Sequence, residues 1–296
     1  MKRVGTYLLW LFSLIGFLST TWIQTMANTE LDRPLDRLAA QLKPNEKRVY
    51  KTIGDRELSL HIFYPEDHAP SDTRAAFVAI HGGGWVNRDA SYFYPFADYF
   101  AKRGLVSISI DYRLHRREPG VSVFDCVKDA RSAMRYLRQH AADLGIDPDK
   151  IIVSGGSAGA HLAAGTVLFD EVNDPTDNLD VSTEPALLIL YYPVIDTSSD
   201  GYGQEKIGDR WKELSPVDQV KPNMPPTLVL HGTGDTVTPF SGVERFHEAM
   251  QAAGNDCRLI TYEGGRHGYF LFDLELFSDA MKQTEAFLKA NGLLAK

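Results

Sequence analysis

Cysteine is nearly absent. The only two, Cys126 and Cys257, are 131 positions apart in a chain of 296 residues and match no metal-ligand spacing. They read as two buried free thiols, with pairing as the alternative in an oxidising compartment. No group of His, Asp and Cys residues is spaced like a metal site. No glycine-rich turn is followed by the lysine or acidic residue that a nucleotide site needs. Neither a metal nor any other cofactor is therefore expected. Basic residues are in deficit, 31 Lys and Arg against 39 Asp and Glu, giving a net charge of −8. A surface of that sign repels nucleic acid and anionic lipid, which removes both as expected partners. Nothing in the composition suggests internal repeats or disorder.

What is present is an ordinary globular mixture, 44% hydrophobic and 24% charged, long enough for one large α/β domain with a substantial core. Residues 1–27 stand apart. Lys2 and Arg3 precede an almost wholly apolar run from Tyr7 to Leu18, and Thr25-Met26-Ala27 supplies small residues for cleavage before Asn28. The expectation is a secretory signal peptide and an exported protein, periplasmic or extracellular. The rival is an uncleaved membrane anchor over Val4–Ile23. Residues 28–296 then form a single domain. Cleavage removes two basic side chains and no acidic ones, leaving a mature charge of −10.

Asn28–Asn45 reads as a polar surface arm with a weak helical pattern. Val49–Ile53 and Leu58–Tyr64 predict an antiparallel hairpin at a sheet edge, joined at Gly54-Asp55. Strand and helix patterns alternate from there: strands at Ala75–Ile80, Leu105–Ile110, Ile151–Val153, Ala186–Tyr191, Thr227–Leu230 and Arg258–Tyr262; helices at Ser91–Lys102, Phe124–Leu144, Ala158–Val167, Ser241–Ala253 and Phe277–Asn291. That rhythm implies a mostly parallel sheet covered on both faces, with its ligand crevice beyond the C-terminal ends of the strands. Pro193–Asn223 is a Gly-, Ser- and Asp-rich excursion read as a lid or pocket wall.

Three stretches carry chemistry. Gly155, Ser157 and Gly159 fit G-x-S-x-G at a strand-to-helix junction, where a strained turn exposes the serine Oγ and the Ala158 N–H points at any oxyanion formed beside it. His81-Gly82-Gly83-Gly84-Trp85 follows a core strand. Three adjacent glycines are entropically costly and make sense where bare N–H groups, those of Gly83 and Gly84, must approach a reacting carbonyl. Asp235 and His267 each sit on a glycine-flanked loop past a strand end, and the order Ser157, Asp235, His267 is the one expected of an α/β-hydrolase triad. Asp196 is the alternative acid. His81, His161 and His231 read as local hydrogen-bonding residues, and Arg113 with Asp129 either as a brace or as two solvated charges.

On these motifs, with Asp111-Tyr112-Arg113-Leu114, the chain resembles the hormone-sensitive-lipase-like esterases and the bacterial acetyl and feruloyl esterases. The resemblance covers about Val49–Leu288. It implies the α/β-hydrolase fold, a mostly parallel eight-stranded sheet with helices on both faces and a small lid insertion at about 194–223. It also implies a serine esterase with no cofactor, acting on short-acyl or aromatic-acid esters of small molecules or carbohydrates. Trp85, Trp211, Tyr269 and Phe270 are the candidate aromatic wall of its pocket. Two departures stand out: His115-Arg116-Arg117 replaces the family's Ala-Pro-Glu, and Arg266 replaces the small residue before the histidine, placing a cation beside the pocket. An amidase resembling kynurenine formamidase and a non-catalytic binding module on the same fold are the competing functions. Oligomeric state is not legible.

Overall fold

The computed structural model describes residues 33–295, so the proposed signal peptide at 1–27 lies outside the described residues. From Pro34 onward the chain forms one unit. The sheet is built from β1 (Glu46–Ile53), β2 (Arg56–Phe63), β3 (Arg74–Ile80), β4 (Val106–Ile110), β5 (Ile146–Gly156), β6 (Leu187–Tyr191), β7 (Thr227–Gly232) and β8 (Cys257–Tyr262). Their spatial order is β1-β2-β4-β3-β5-β6-β7-β8. The hairpin expected at the edge is there: β1 pairs antiparallel with β2, and β2 with β4, while every later pairing is parallel.

Seven helices are described: α1 (Pro34–Ala39), α2 (Tyr94–Ala101), α3 (Val123–Gln139), α4 (Ala158–Leu168), α5 (Gln204–Ile207), α6 (Phe240–Ala252) and α7 (Leu274–Ala290). Period-two alternation in the strands sorts their side chains between two cores. In β3, Ala76, Val78 and Ile80 face the core shared with α3, α4 and α6, while Phe77 and Ala79 face the one shared with α2 and α7. The central strands are buried on both faces, as parallel strands covered by helices must be. Among the described residues no helix is long and apolar enough to cross a membrane.

Several boundaries differ from expectation. The helical pattern of Phe124–Leu144 breaks at Gln139, and Ala142–Leu144 is a separate tight turn ended by Gly145 in the left-handed conformation. At its start α3 carries a reciprocal cap: Ser122 Oγ accepts the Asp125 N–H, and the Asp125 carboxylate accepts the Ser122 N–H. The last helix begins at Leu274, three residues before the first expected position, because Asp273 caps it by accepting the Glu275 and Leu276 N–H groups. The expected surface arm is not all surface. Leu35 on α1 is 1% exposed and belongs to the second core, so the weak helical pattern there marks a short buried anchor. Residues 193–223 hold the short α5 and are anchored to the body of the domain, with Leu214, Ser215 and Thr197 fully buried.

Candidate active site

The serine turn sits at the centre of the sheet, where β5 runs into α4. Ser157 has φ 55° and ψ −121°, a strained conformation for a residue with a side chain. The glycines around it are required by backbone crowding. A Cβ on Gly155 would lie 2.3 Å from the Gly159 carbonyl oxygen, and one on Gly159 would lie 2.1 Å from that of Ile80. Any side chain there would push β5, α4 and β3 apart. The turn is held by the Ser157 N–H, which donates to the Tyr191 carbonyl, and by the Ser157 carbonyl, which accepts the Val194 N–H.

Loops after β7 and β8 bring the other two residues to Ser157. His267 Nε2 is 2.8 Å from Ser157 Oγ, and His267 Nδ1 is 2.7 Å from Asp235 Oδ2. With the ring proton on Nδ1, held by the carboxylate, the Nε2 lone pair is free to accept the serine hydroxyl. Asp235 is itself fixed by a turn that sequence reasoning missed. Its Oδ1 accepts the Val237 and Thr238 N–H groups, and its Oδ2 also accepts the Thr238 hydroxyl. The signal was available as Asp-Thr-Val-Thr, a run in which an aspartate caps its own following turn. Burial pushes the Asp235 carboxyl up, but the hydrogen bond and charge of His267 and the Thr238 N–H outweigh it and hold the group below its usual value. Asp196, the alternative acid, is committed elsewhere: it pairs with Arg245 and accepts the Ser198 N–H.

The glycine loop lies across the serine turn. A Cβ on Gly82 would come within 2.7 Å of the Gly156 carbonyl oxygen and 3.2 Å of Ser157 Cβ. Gly83 and Gly84 have φ of 110° and 60°, conformations that glycine adopts without strain. The Ala158 N–H is one of the first-turn donors that an α-helix leaves unpaired. Below the loop the His81 ring bonds the Gly82 carbonyl, and the Tyr112 hydroxyl donates to the His81 carbonyl. His161 and His231 bond the carbonyls of Leu214 and Thr238. Burial lowers the pKa of His81, His161 and His231 to about 4, so all three are neutral packing groups.

Arg113 and Asp129 form the brace rather than two solvated charges. The guanidinium meets both carboxylate oxygens at 2.7 and 2.8 Å, Lys51 adds a third bond, and Asp129 is fully buried. The network ties β1 and the segment after β4 to α3. Where the family's Ala-Pro-Glu is missing, Glu118 Oε1 accepts the Leu114 N–H and His115 Nδ1 bonds the Val121 carbonyl. Both cysteines are free thiols, Cys126 buried and Cys257 partly so.

The aromatic wall needs correction. Trp85, Tyr269 and Phe270 are 0%, 4% and 0% exposed. Trp85 has φ 63°, and its ring packs beside those of His161 and Tyr202. Tyr269 and Phe270 pack in a tight turn against Tyr262, Tyr191 and Phe96. Trp211 is partly exposed, and its carbonyl accepts the Thr197 hydroxyl. Other aromatics border the serine turn. Tyr192 stands edge-on to the His267 ring at 5.2 Å, and its hydroxyl and Phe93 both close on Gly156. The Arg266 guanidinium stacks over the Phe272 ring, 3.8 Å from its centre. Among the described residues no group of His, Cys, Asp and Glu is arranged to hold a metal ion.

Comparison with known proteins agrees with this geometry. The BD-FAE family model matches residues 60–186, and the TAP-like protein model matches 209–275. Esterase LipQ of Mycobacterium tuberculosis is 29% identical over 243 residues, covering 75% of this chain and 56% of that protein. An acetylxylan esterase of Xylanibacter ruminicola is 25% identical over 255 residues, covering 78% and 48%. The chain spans about half the length of the curated relatives it matches. Esterase 2 of Thermogutta terrifontis, solved after phosphoramylation by tabun, superposes with a TM-score of 0.81 at 41% identity, covering 85% of this chain and 96% of that one. The same esterase has been solved with propionate and with butyrate bound. Sharing that enzyme's fold and two-fifths of its residues over nearly its whole length, this chain belongs to the α/β-hydrolase superfamily, in the hormone-sensitive-lipase-like esterase group.

Proposed function

We propose that the protein is a serine carboxylic-ester hydrolase for short-acyl esters, with Ser157, His267 and Asp235 as its catalytic residues. The observation that carries this is the continuous hydrogen-bonded line from Ser157 Oγ through both nitrogens of His267 to Asp235, at 2.8 and 2.7 Å. Ser157 Oγ attacks the ester carbonyl carbon while His267 Nε2 takes its proton. Asp235 keeps the imidazole oriented and stabilises the imidazolium. The carbonyl oxygen becomes an oxyanion, which the N–H groups of Gly83, Gly84 and Ala158 receive. Collapse breaks the ester C–O bond as His267 returns the proton to the leaving alcohol. Water, deprotonated by the same ring, then attacks the acyl-enzyme and releases the acid.

Two features support short acyl groups. Phe93 and Tyr192, 3% exposed each, crowd Gly156 beside the serine. The Thermogutta esterase has been solved with propionate and butyrate. An acetylated carbohydrate, or as a second class one esterified by an aromatic acid such as ferulic acid, is the substrate we propose for an enzyme exported by a Lys2-Arg3 and Tyr7–Leu18 leader. The test is a 4-nitrophenyl ester series from acetyl to dodecanoyl, followed by acetylated xylan and methyl ferulate. A maximum at acetyl to butyryl is expected. A maximum at decanoyl or longer, with activation at a lipid interface, would make the protein a lipase.

A further inference from the structure

The cation beside the glycine loop is Lys206. Gly203, at φ 109°, seats the 202–206 segment directly on Trp85: a Cβ there would lie 2.7 Å from the indole Cη2 and Cζ3. Tyr202 and Lys206 thereby reach Gly84 of the candidate oxyanion loop. A Cβ built on Gly84 would lie 2.5 Å from Tyr202 Oη and 3.8 Å from Lys206 Nζ. Lys206 Nζ donates to Tyr202 Oη at 2.6 Å and sits 4.0 Å from the centre of its ring.

Lys206 differs from the other lysines of the described chain. Lys51, Lys102, Lys128, Lys150, Lys212, Lys221 and Lys289 each have a carboxylate within 4 Å. Lys43, Lys47 and Lys282 have none among the described residues, but all are exposed to water. Lys206 is partly buried and likewise has no carboxylate within ion-pair distance among the described residues. A partly buried ammonium held by a tyrosine and without a counter-charge is available to an anion that binds beside it. A second contact ties down the segment that carries Lys206. Arg116, in the stretch where this chain departs from the family, is held at a left-handed φ of 60° and donates through Nη2 to the carbonyl of Glu205, next to Lys206.

We propose that Lys206, positioned by Tyr202, is an anion subsite beside the oxyanion loop that selects esters carrying a carboxylate a few bonds from the scissile carbonyl, a reading that rests on Ser157 being the nucleophile of an esterase. The Lys206 ammonium has protons to spare beyond the one given to Tyr202. Tyr202 Oη, accepting from Lys206, keeps its own proton for the same anion. Two donors thus converge where a dicarboxylic half-ester, or an acylated hydroxy acid, would place its free carboxylate.

The experiment uses the full chain with paired charged and neutral esters. 4-Nitrophenyl hydrogen glutarate is compared with 4-nitrophenyl 5-oxohexanoate, and 4-acetoxybenzoate with its methyl ester, spontaneous hydrolysis being subtracted. Lys206→Met is expected to lower kcat/KM for the charged member of at least one pair about tenfold, mainly through KM, and to leave its neutral partner within about twofold. Lys206→Arg should restore most of the preference, and added salt should erode it in the parent but not in Lys206→Met. Equal losses on charged and neutral esters, or no loss on either, overturn the subsite. Failure of the parent to hydrolyse any of the four esters would instead overturn the underlying esterase reading.

Discussion

Ser157, His267 and Asp235 come from three loops separated by up to 110 positions, and the site works only if each is held independently. His267 is the least fixed: its side chain is 23% exposed, and it is oriented by Asp235, by Thr238 Oγ1 at 3.2 Å from Nδ1, and by the Tyr192 ring. Asp235→Asn keeps the shape but can present an amide N–H where Nδ1–H must donate, which favours the wrong tautomer. We expect it to lower kcat by about three to four orders of magnitude, while Asp196→Asn, whose partner is Arg245, stays near parental. Steady-state rates on 4-nitrophenyl butyrate check this, and the reverse pattern would transfer the acid's role to Asp196. At this scale much of the site was legible. The serine turn and the glycine loop announce themselves because only glycine tolerates the backbone approaches of 2.1 to 2.7 Å that a Cβ would make there. Thr238, Tyr192, Tyr202 and Lys206 were not legible, because an ordinary residue type in a loop carries no mark of what the loop folds against.

Elements were read well where one periodicity ruled. The strands β3, β4, β6 and β7 appeared at the right places because burial on both faces demands unbroken apolar runs, whereas β5 extends well before the expected Ile151 and the edge strand β8 has no fully buried residue. Helix ends were read less well. The start of α7 at Leu274 depends on the capping Asp273, and the chain beyond Gln139, with α3 capped at His140, turns again before Gly145 in the left-handed conformation; both act on single residues and leave hydrophobic periodicity unchanged. The aromatic wall failed for a related reason. Apolar area looks the same in a sequence whether it lines a cleft or fills a core. Trp85 follows two glycines with positive φ and shares that conformation, so its ring packs with His161 and Tyr202. The same packing gives the 193–223 excursion its role: Gly203 rests on Trp85, which carries Tyr202 and Lys206 to the glycine loop.

At the scale of the whole molecule, the three buried histidines couple stability to pH. His81, His161 and His231 have folded values of about 4, against about 6.5 in an unfolded chain. Between those values the unfolded state binds protons that the folded state refuses. Their neutral burial is therefore fully compatible with folding above pH 6.5, and stability is lost as pH falls toward 4, by up to about 1.4 kcal/mol per pH unit for each histidine. Below 4 both states are protonated and these residues cause no further loss. Urea midpoints measured at pH 7, 6 and 5 should fall steadily, and His161→Gln should flatten the slope by about one proton. A midpoint that holds or rises on acidification would show that the three rings are not buried neutral.

The account as a whole stands on Ser157 being the nucleophile, and covalent trapping addresses that most directly. Incubated with diethyl 4-nitrophenyl phosphate, the protein should release one equivalent of 4-nitrophenolate, lose esterase activity in step, and carry a single diethylphosphoryl group on the peptide containing Ser157. Ser157→Ala should release none and should have no activity to lose. An adduct on another residue with matching inactivation, or full activity retained in Ser157→Ala, would contradict the central claim.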